Sequence, residues 1–165
     1  TSNKITEIPN NAYSLSADGK HAAVLNGDHL AIYTVGSTEP DVAFEPQEWG
    51  YYGMALVSAE AAVSGNLDGE LVLWKKGSAK PSKKVALSEA GAVARSILVS
   101  PDGKRIFVAI ESGVVIYDAE LNELTRMTAF DGMPNTLALS RDGKQLLCGM
   151  ADSTALVWSL AKVLK

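Results

Sequence analysis

Four strand-like segments ending on an aromatic residue recur along the chain: AIYTV around Tyr33, LVLWK around Trp74, VIYDA around Tyr117 and LVWSL around Trp158. The four aromatics stand 41, 43 and 41 residues apart. That spacing is the ~40–45-residue period of a unit built from four antiparallel strands. A second marker keeps the same beat, a Ser leading into a turn: Ser16-Ala17-Asp18-Gly19-Lys20, Ser58-Ala59-Glu60, Ser100-Pro101-Asp102-Gly103-Lys104 and Ser140-Arg141-Asp142-Gly143-Lys144. Asp-Gly supplies the positive φ that a tight hairpin demands. The segment Val63–Lys75 shows the unit at its clearest, with a short run into Ser64-Gly65-Asn66, an Asp68-Gly69 turn, and a strand in which Leu71 and Leu73 alternate with Val72 and Trp74. Two independent markers in phase predict one repeated segment over 1–165, with repeats near 4–36, 41–77, 83–119 and 124–160.

On these residues the chain resembles the WD40-repeat β-propeller family over essentially its whole length. Trp74, Trp158, Tyr33 and Tyr117 hold the aromatic position; Asp118 is the one acidic partner of the "WD" pair, replaced elsewhere by Thr34, Lys75 and Ser159. The fold class expected is all-β, a propeller segment of four four-stranded repeats with sixteen strands. The resemblance implies that the first strand of each repeat is the outer strand of the preceding blade. The three strands from Thr136 to Leu160 then lack an outer strand, and Lys4–Ile8 is left over to supply it, within one ring or to a neighbouring chain. Repeats of this type usually close with about seven blades within a possible range of four to eight, so four are not expected to close alone. Open, they would expose apolar faces and strand edges. Two resolutions follow: half of an eight-bladed ring closed by a two-fold dimer, or part of a larger propeller. A first residue of Thr1 rather than Met fits processing or excision alike.

The family also implies a Gly-His pair before the second strand of each repeat, its His joined to a buried network with Ser or Thr, Asp and Trp. The loops here read Pro9-Asn10-Asn11, Glu48-Trp49-Gly50-Tyr51, Glu89-Ala90-Gly91 and Asp131-Gly132-Met133-Pro134, with no His. Turn aspartates remain as Asp28, Asp68 and Asp152, with Ser112 at the third repeat. The network is expected to be incomplete and the blades to lean on apolar packing.

Composition narrows the function classes. The chain is 47% hydrophobic and 21% charged, with a net charge of -4 and no clustered Lys/Arg surface of the kind phosphate backbones require. The densest basic run, Lys75–Lys84, reads as a solvated linker between blades. No apolar run spans a bilayer, and Thr1 does not open a signal peptide. The single Cys148 cannot form an intramolecular disulfide, which points to a cytoplasmic or otherwise intracellular setting. His21 and His29 lack the companions of a metal site. There is no Gly-x-Ser-x-Gly and no phosphate-cradling glycine loop. No enzyme, cofactor or metal is expected.

Recognition is the more economical reading. In a propeller the loops entering the innermost strands share a rim with the loops joining the second and third strands. Trp49, Tyr51 and Tyr52 fall there in the second repeat, Phe130 and Met133 in the fourth, and Arg95 at the entry to the third. Aromatics, Met and Arg are the residues that binding hot spots favour. Tyr52 and Met133 would equally serve as inter-blade core, and Trp49 as a cap on its own blade. The expected function is a protein–protein interaction scaffold whose rim takes protein or peptide partners, with self-association or further blades completing the ring. The alternatives are an assembly fragment that pairs through its blade edges, or a propeller with a small-ligand or enzymatic channel. Ala55, Leu56, Ile97, Leu98, Leu137 and Ala138 along the inner strands argue against the channel.

Overall fold

The computed structural model describes residues 12–26, 29–46, 51–87, 92–128 and 130–164, with backbone only for Ala12, Tyr13, Asn26, Tyr51 and Tyr52. Fifteen strands and one short helix lie within these residues. The first sheet takes β1 (Ala12–Leu15), β2 (His21–Asn26), β3 (His29–Thr34) and β4 (Val42–Ala43) in that order. The second takes β5 (Tyr51–Ser58), β6 (Ala61–Asn66), β7 (Glu70–Lys75) and β8 (Lys83–Ala86), and the third β9 (Ser96–Val99), β10 (Arg105–Ile110), β11 (Gly113–Asp118) and β12 (Glu123–Met127). The fourth has three strands, β13 (Pro134–Leu139), β14 (Gln145–Met150) and β15 (Ala155–Ser159), before α1 (Leu160–Val163). Every neighbouring pair is antiparallel.

The sheets carry the phase expected from the repeats. The strand that opens each sequence repeat, β4, β8 or β12, closes the outside of the sheet before it. The last sheet stops at three, and the chain turns at once into α1, whose Leu160 is buried against that sheet. Lys4–Ile8, the strand expected to complete it, lies outside the described residues, as do the loops Pro9–Asn11 and Glu89–Gly91 and the turn residue Asp28. The four sheets do not form a closed ring.

Strand ends differ modestly from the sequence reading. β4 covers Val42–Ala43, against the Asp41–Phe44 read from the sequence, yet the Asp41 and Phe44 N–H groups still donate to the Ile32 and Leu30 carbonyls of β3 at 2.8 and 2.9 Å. β9 begins at Ser96 rather than Ala94, yet the Arg95 N–H still donates to the Ala109 carbonyl at 2.8 Å.

Three of the Ser-led turns repeat one device. Ser16, Ser100 and Ser140 each donate from Oγ to Oδ1 of the aspartate two residues on, at 2.6 Å. The same carboxylate accepts the N–H of Lys20, Lys104 or Lys144, and the Ser Oγ accepts the N–H of His21, Arg105 or Gln145. The glycine between sits at φ 70°, 69° or 66°. A Cβ there would be strained, which is why Gly19, Gly103 and Gly143 follow their aspartates.

The apolar alternation sets two faces on every sheet. In register, Ala62 faces Trp74, Ile106 faces Tyr117 and Leu146 faces Trp158, so these aromatics share the side that packs on the preceding sheet. The residues one step along, Val63 with Leu73 and Phe107 with Ile116, pack on the following sheet. Three clusters result: Ile32, Phe44 and Trp74 between the first two sheets, Leu73, Val108 and Tyr117 between the next two, and Phe107, Cys148 and Trp158 between the last two. Burial of each large side chain stabilises by about 1.5–3 kcal/mol. On the fourth sheet the matching outward pair, Leu147 and Val157, remains 40% and 58% exposed, whereas Phe107 and Ile116 are fully buried.

Among the described residues one bond of the family's polar network is present, in the second blade. The Trp74 Nε1–H donates to Ser64 Oγ at 2.9 Å, and both residues are fully buried. In the third sheet Val108 takes the place of Ser64, and the Tyr117 hydroxyl is buried with no partner. Inner strands are tied by hydroxyls as well: Ser14 Oγ accepts the Leu56 N–H and Ser96 Oγ accepts the Leu137 N–H, both at 3.2 Å. Asp118, the surviving acid after the aromatic, acts locally by accepting the N–H groups of Glu120 and Asn122.

The basic run Lys75–Lys84 is not a free linker, because it begins at the end of β7 and ends in β8. Lys75 pairs with Glu120 at 2.6 Å, Lys84 with Glu70 at 3.4 Å, and Lys83 Nζ donates to the Glu120 carbonyl and Asn122 Oδ1. These pairs are solvent-exposed, and each is worth under about 1 kcal/mol.

Candidate functional site

The antiparallel pairing places two sets of loops at one end of the sheets. Tyr51 is opposite Asn66 and Pro134 is opposite Met150, so the entry to each inner strand sits beside the turn joining the second and third strands. Among the residues expected on this rim, Tyr51 and Tyr52 form the first two positions of β5, while Trp49 lies outside the described residues. Arg95 is exposed and held by its backbone to β10. Met133 is half-buried; its carbonyl accepts the Ala151 N–H at 2.9 Å.

Phe130 is partly committed to packing. Its ring lies 5.1 Å from that of Trp158 at an interplanar angle of 60°, an arrangement that favours aromatic contact. It joins the cluster between the third and fourth sheets, so its face toward Trp158 is not available to a partner. Close by, the Asp152 carboxylate accepts both the hydroxyl and the N–H of Thr154, at 2.6 and 2.9 Å, which holds its pKa below the usual value.

Sequence reasoning passed over Leu67, which stands at the tip of the β6–β7 hairpin and is 58% exposed. The signal was present in Asn66-Leu67-Asp68-Gly69, where an apolar residue occupies a turn that polar residues usually fill. Asn66 stiffens the hairpin by accepting the Glu70 N–H at 2.9 Å and donating to its carboxylate.

At the opposite end of the inner strands lies a concavity of about 500 Å³. Ser14, Leu15, Leu56, Val57, Ile97 and Val99 line it, with Asp18 and Asp102 at the following turns. Hydrogen bonds from Ser16 and Ser100 hold those two carboxylates below the usual pKa. His21 also borders it, half-buried, with a buried Nδ1 that has no hydrogen-bond partner. No group of three or more His, Cys, Asp or Glu side chains able to hold a metal occurs among the described residues.

No protein-family model matches the sequence. The chain is 30% identical over 122 residues to the small ribosomal subunit protein RACK1y of Oryza sativa subsp. japonica, a match over 68% of this chain and 35% of that protein. The chain thus spans about a third of the length of the curated relative it matches. Its fold also matches the β-propeller domain of Cps50 (Swd1) from Myceliophteria thermophila, with a TM-score of 0.71, 13% identity, and coverage of 90% of this chain and 53% of that one.

The fold and these likenesses support the WD40-repeat β-propeller family. The four sheets are successive blades, and the end bearing Arg95 and Met133 is the loop rim. No helix among the described residues is long and apolar enough to cross a membrane.

Proposed function

We propose that this WD40 segment is a non-enzymatic protein-interaction scaffold whose rim docks a protein or peptide. The observation that supports the reading most is the exposure of Arg95 at the entry to β9, beside a rim that also carries the exposed Leu67. A guanidinium presents a planar fork of donors suited to carboxylate, and an apolar neighbour supplies the desolvated contact that makes such an anchor worth more. Met133 stands at the same end, Phe130 packs beside it on Trp158, and the sequence assigns Trp49, Tyr51 and Tyr52 to the loop entering β5. The partner chemistry this favours is a peptide with an acidic side chain next to an apolar one. An intracellular setting fits the single thiol of Cys148, which is buried.

The test is selection of peptides on the folded chain from a random display library, followed by titration of the enriched peptide against variants. Arg95→Glu and Leu67→Asp should each weaken binding about tenfold or more, with melting within about 2 °C of the parent. Asp102→Asn, at the opposite end, should leave binding unchanged. Enriched peptides that bind the rim variants as tightly as the parent would overturn the reading.

A further inference from the structure

Five Asp-Gly dipeptides occur in the sequence, at 18–19, 68–69, 102–103, 131–132 and 142–143. The sequence makes all five equally prone to one reaction, because an unbranched glycine lets its backbone nitrogen reach the preceding side chain. The structure makes them unequal. At 18–19, 102–103 and 142–143 the aspartate is clamped by a serine hydroxyl at 2.6 Å and by the lysine N–H two residues on. The glycine N–H of each is also spent, donating to the carbonyl of Ser16, Ser100 or Ser140 at 2.8–2.9 Å. At 68–69 the Gly69 N–H donates to the Asn66 carbonyl at 3.4 Å and the glycine is buried.

Asp131 and Gly132 stand apart. They lie in a bend and not a hairpin, and Asp131 is exposed. Among the described residues neither the Asp131 carboxylate nor the Gly132 N–H has a hydrogen-bond partner. Gly132 also lacks the positive φ that the other four glycines adopt.

We infer that Asp131-Gly132 is the site at which this chain undergoes spontaneous isomerisation to isoaspartate. The Gly132 nitrogen gives its proton to solvent and attacks Cγ of Asp131. A C–N bond forms, a Cγ–O bond breaks and one water leaves, closing a five-membered succinimide. One water then opens the ring: at the side-chain carbonyl it restores aspartate, and at the main-chain carbonyl it leaves the backbone running through Cβ. No oxidant or reductant is needed, and the water lost is the water regained. The serine clamps act against the same step elsewhere, because they keep Asp18, Asp102 and Asp142 ionised to lower pH, and a carboxylate is a poorer electrophile than a carboxylic acid.

The consequence is local. Phe130 is held on Trp158, and the Met133 carbonyl is held by the Ala151 N–H. One additional backbone carbon between these two anchors displaces the loop and moves the negative charge. This inference stands on the hydrogen bonding of five turns and does not depend on what the rim binds.

The test is to age the folded 165-residue chain at neutral pH and about 37 °C, then map isoaspartate by electron-transfer fragmentation of its peptides. Isoaspartate at 131 should accumulate about tenfold faster than at 18, 102 or 142, since each clamped turn must first lose its hydrogen bonds. In chain aged in denaturant all five sites should converge. Gly132→Ala should suppress the signal at 131, and Asp131→Glu serves the same purpose should the alanine variant fold poorly. Equal accumulation at the five sites in folded protein, a faster clamped site, or none at 131 would overturn the inference.

Discussion

Replacing Ser64 by alanine isolates a single hydrogen bond in the densest part of the molecule. Ser64 and Trp74 are both fully buried, and the indole N–H has Ser64 Oγ at 2.9 Å as its partner. Alanine removes one oxygen and leaves almost no void, so the cavity contribution is small. Breaking this hydrogen bond inside the core costs about 1–3 kcal/mol. For a chain of this size each kcal/mol lowers Tm by about 2–4 °C, so a loss near the middle of the range is about 4–8 °C. The third blade supplies the opposite experiment within the same fold. Tyr117 occupies the position of Trp74, Val108 that of Ser64, and the hydroxyl is already unpartnered, its pKa raised chiefly by burial. Tyr117→Phe should therefore be neutral or stabilising by up to about 1 kcal/mol. Val108→Thr should be better tolerated with Tyr117 present than in the Tyr117→Phe background, a positive coupling in a double-mutant cycle. Circular dichroism melts and urea titrations of the four variants decide the matter. A Ser64→Ala protein melting within about 1 °C of the parent, or a Tyr117→Phe protein losing more than about 1 kcal/mol, would refute the argument that partner satisfaction sets these energies.

Three further outcomes follow from the geometry. A Cβ on Gly65 would meet the Ala94 Cβ at 2.7 Å, so Gly65→Val must push the second and third blades apart and should cost about 1–3 kcal/mol in urea unfolding. Asp18, Asp102 and Asp142 have folded pKa values below the ordinary carboxylate value, held down chiefly by the serine hydroxyls, so the stability they contribute is complete above that ordinary value and lost as pH falls through the folded pKa. Melts between pH 6 and 2 should show that acid-limb loss reduced in Ser100→Ala, whose Asp102 no longer has its strongest stabilising bond. Leu147 and Val157 form an exposed apolar pair on the open face of the last blade, so sedimentation of the parent should show a concentration-dependent self-association that Leu147→Lys with Val157→Lys abolishes while shifting stability by under about 0.5 kcal/mol.

Some of the site was readable in advance and some was not. The positions of Arg95 and Met133 at strand entries followed from counting along the repeat, since antiparallel pairing puts the start of one strand beside the end of the next. Phe130 was assigned to the rim by the same count, but its ring turns onto Trp158, a residue 28 positions away in the chain. Lys75 and Lys83 read as solvated because a lysine run usually is, and their partners Glu120 and Asn122 come from the neighbouring blade. Composition carries no trace of such pairings.

The sequence by itself determined the repeat length, the strands within each repeat and the turn chemistry, and these rest on local physics: alternation along a strand, positive φ at glycine, and serine and aspartate side chains bonding to their own backbone. The phase that makes β4, β8 and β12 outer strands came from the resemblance to the WD40 family, because no local pattern says which sheet a strand joins. Tertiary structure alone decided which buried polar groups found partners, which aromatics were consumed by packing, and which Asp-Gly turns were protected. Those outcomes depend on residues that meet across a blade or between adjacent blades, where a change such as Ser64 to Val108 alters a partner without altering the strand that carries it.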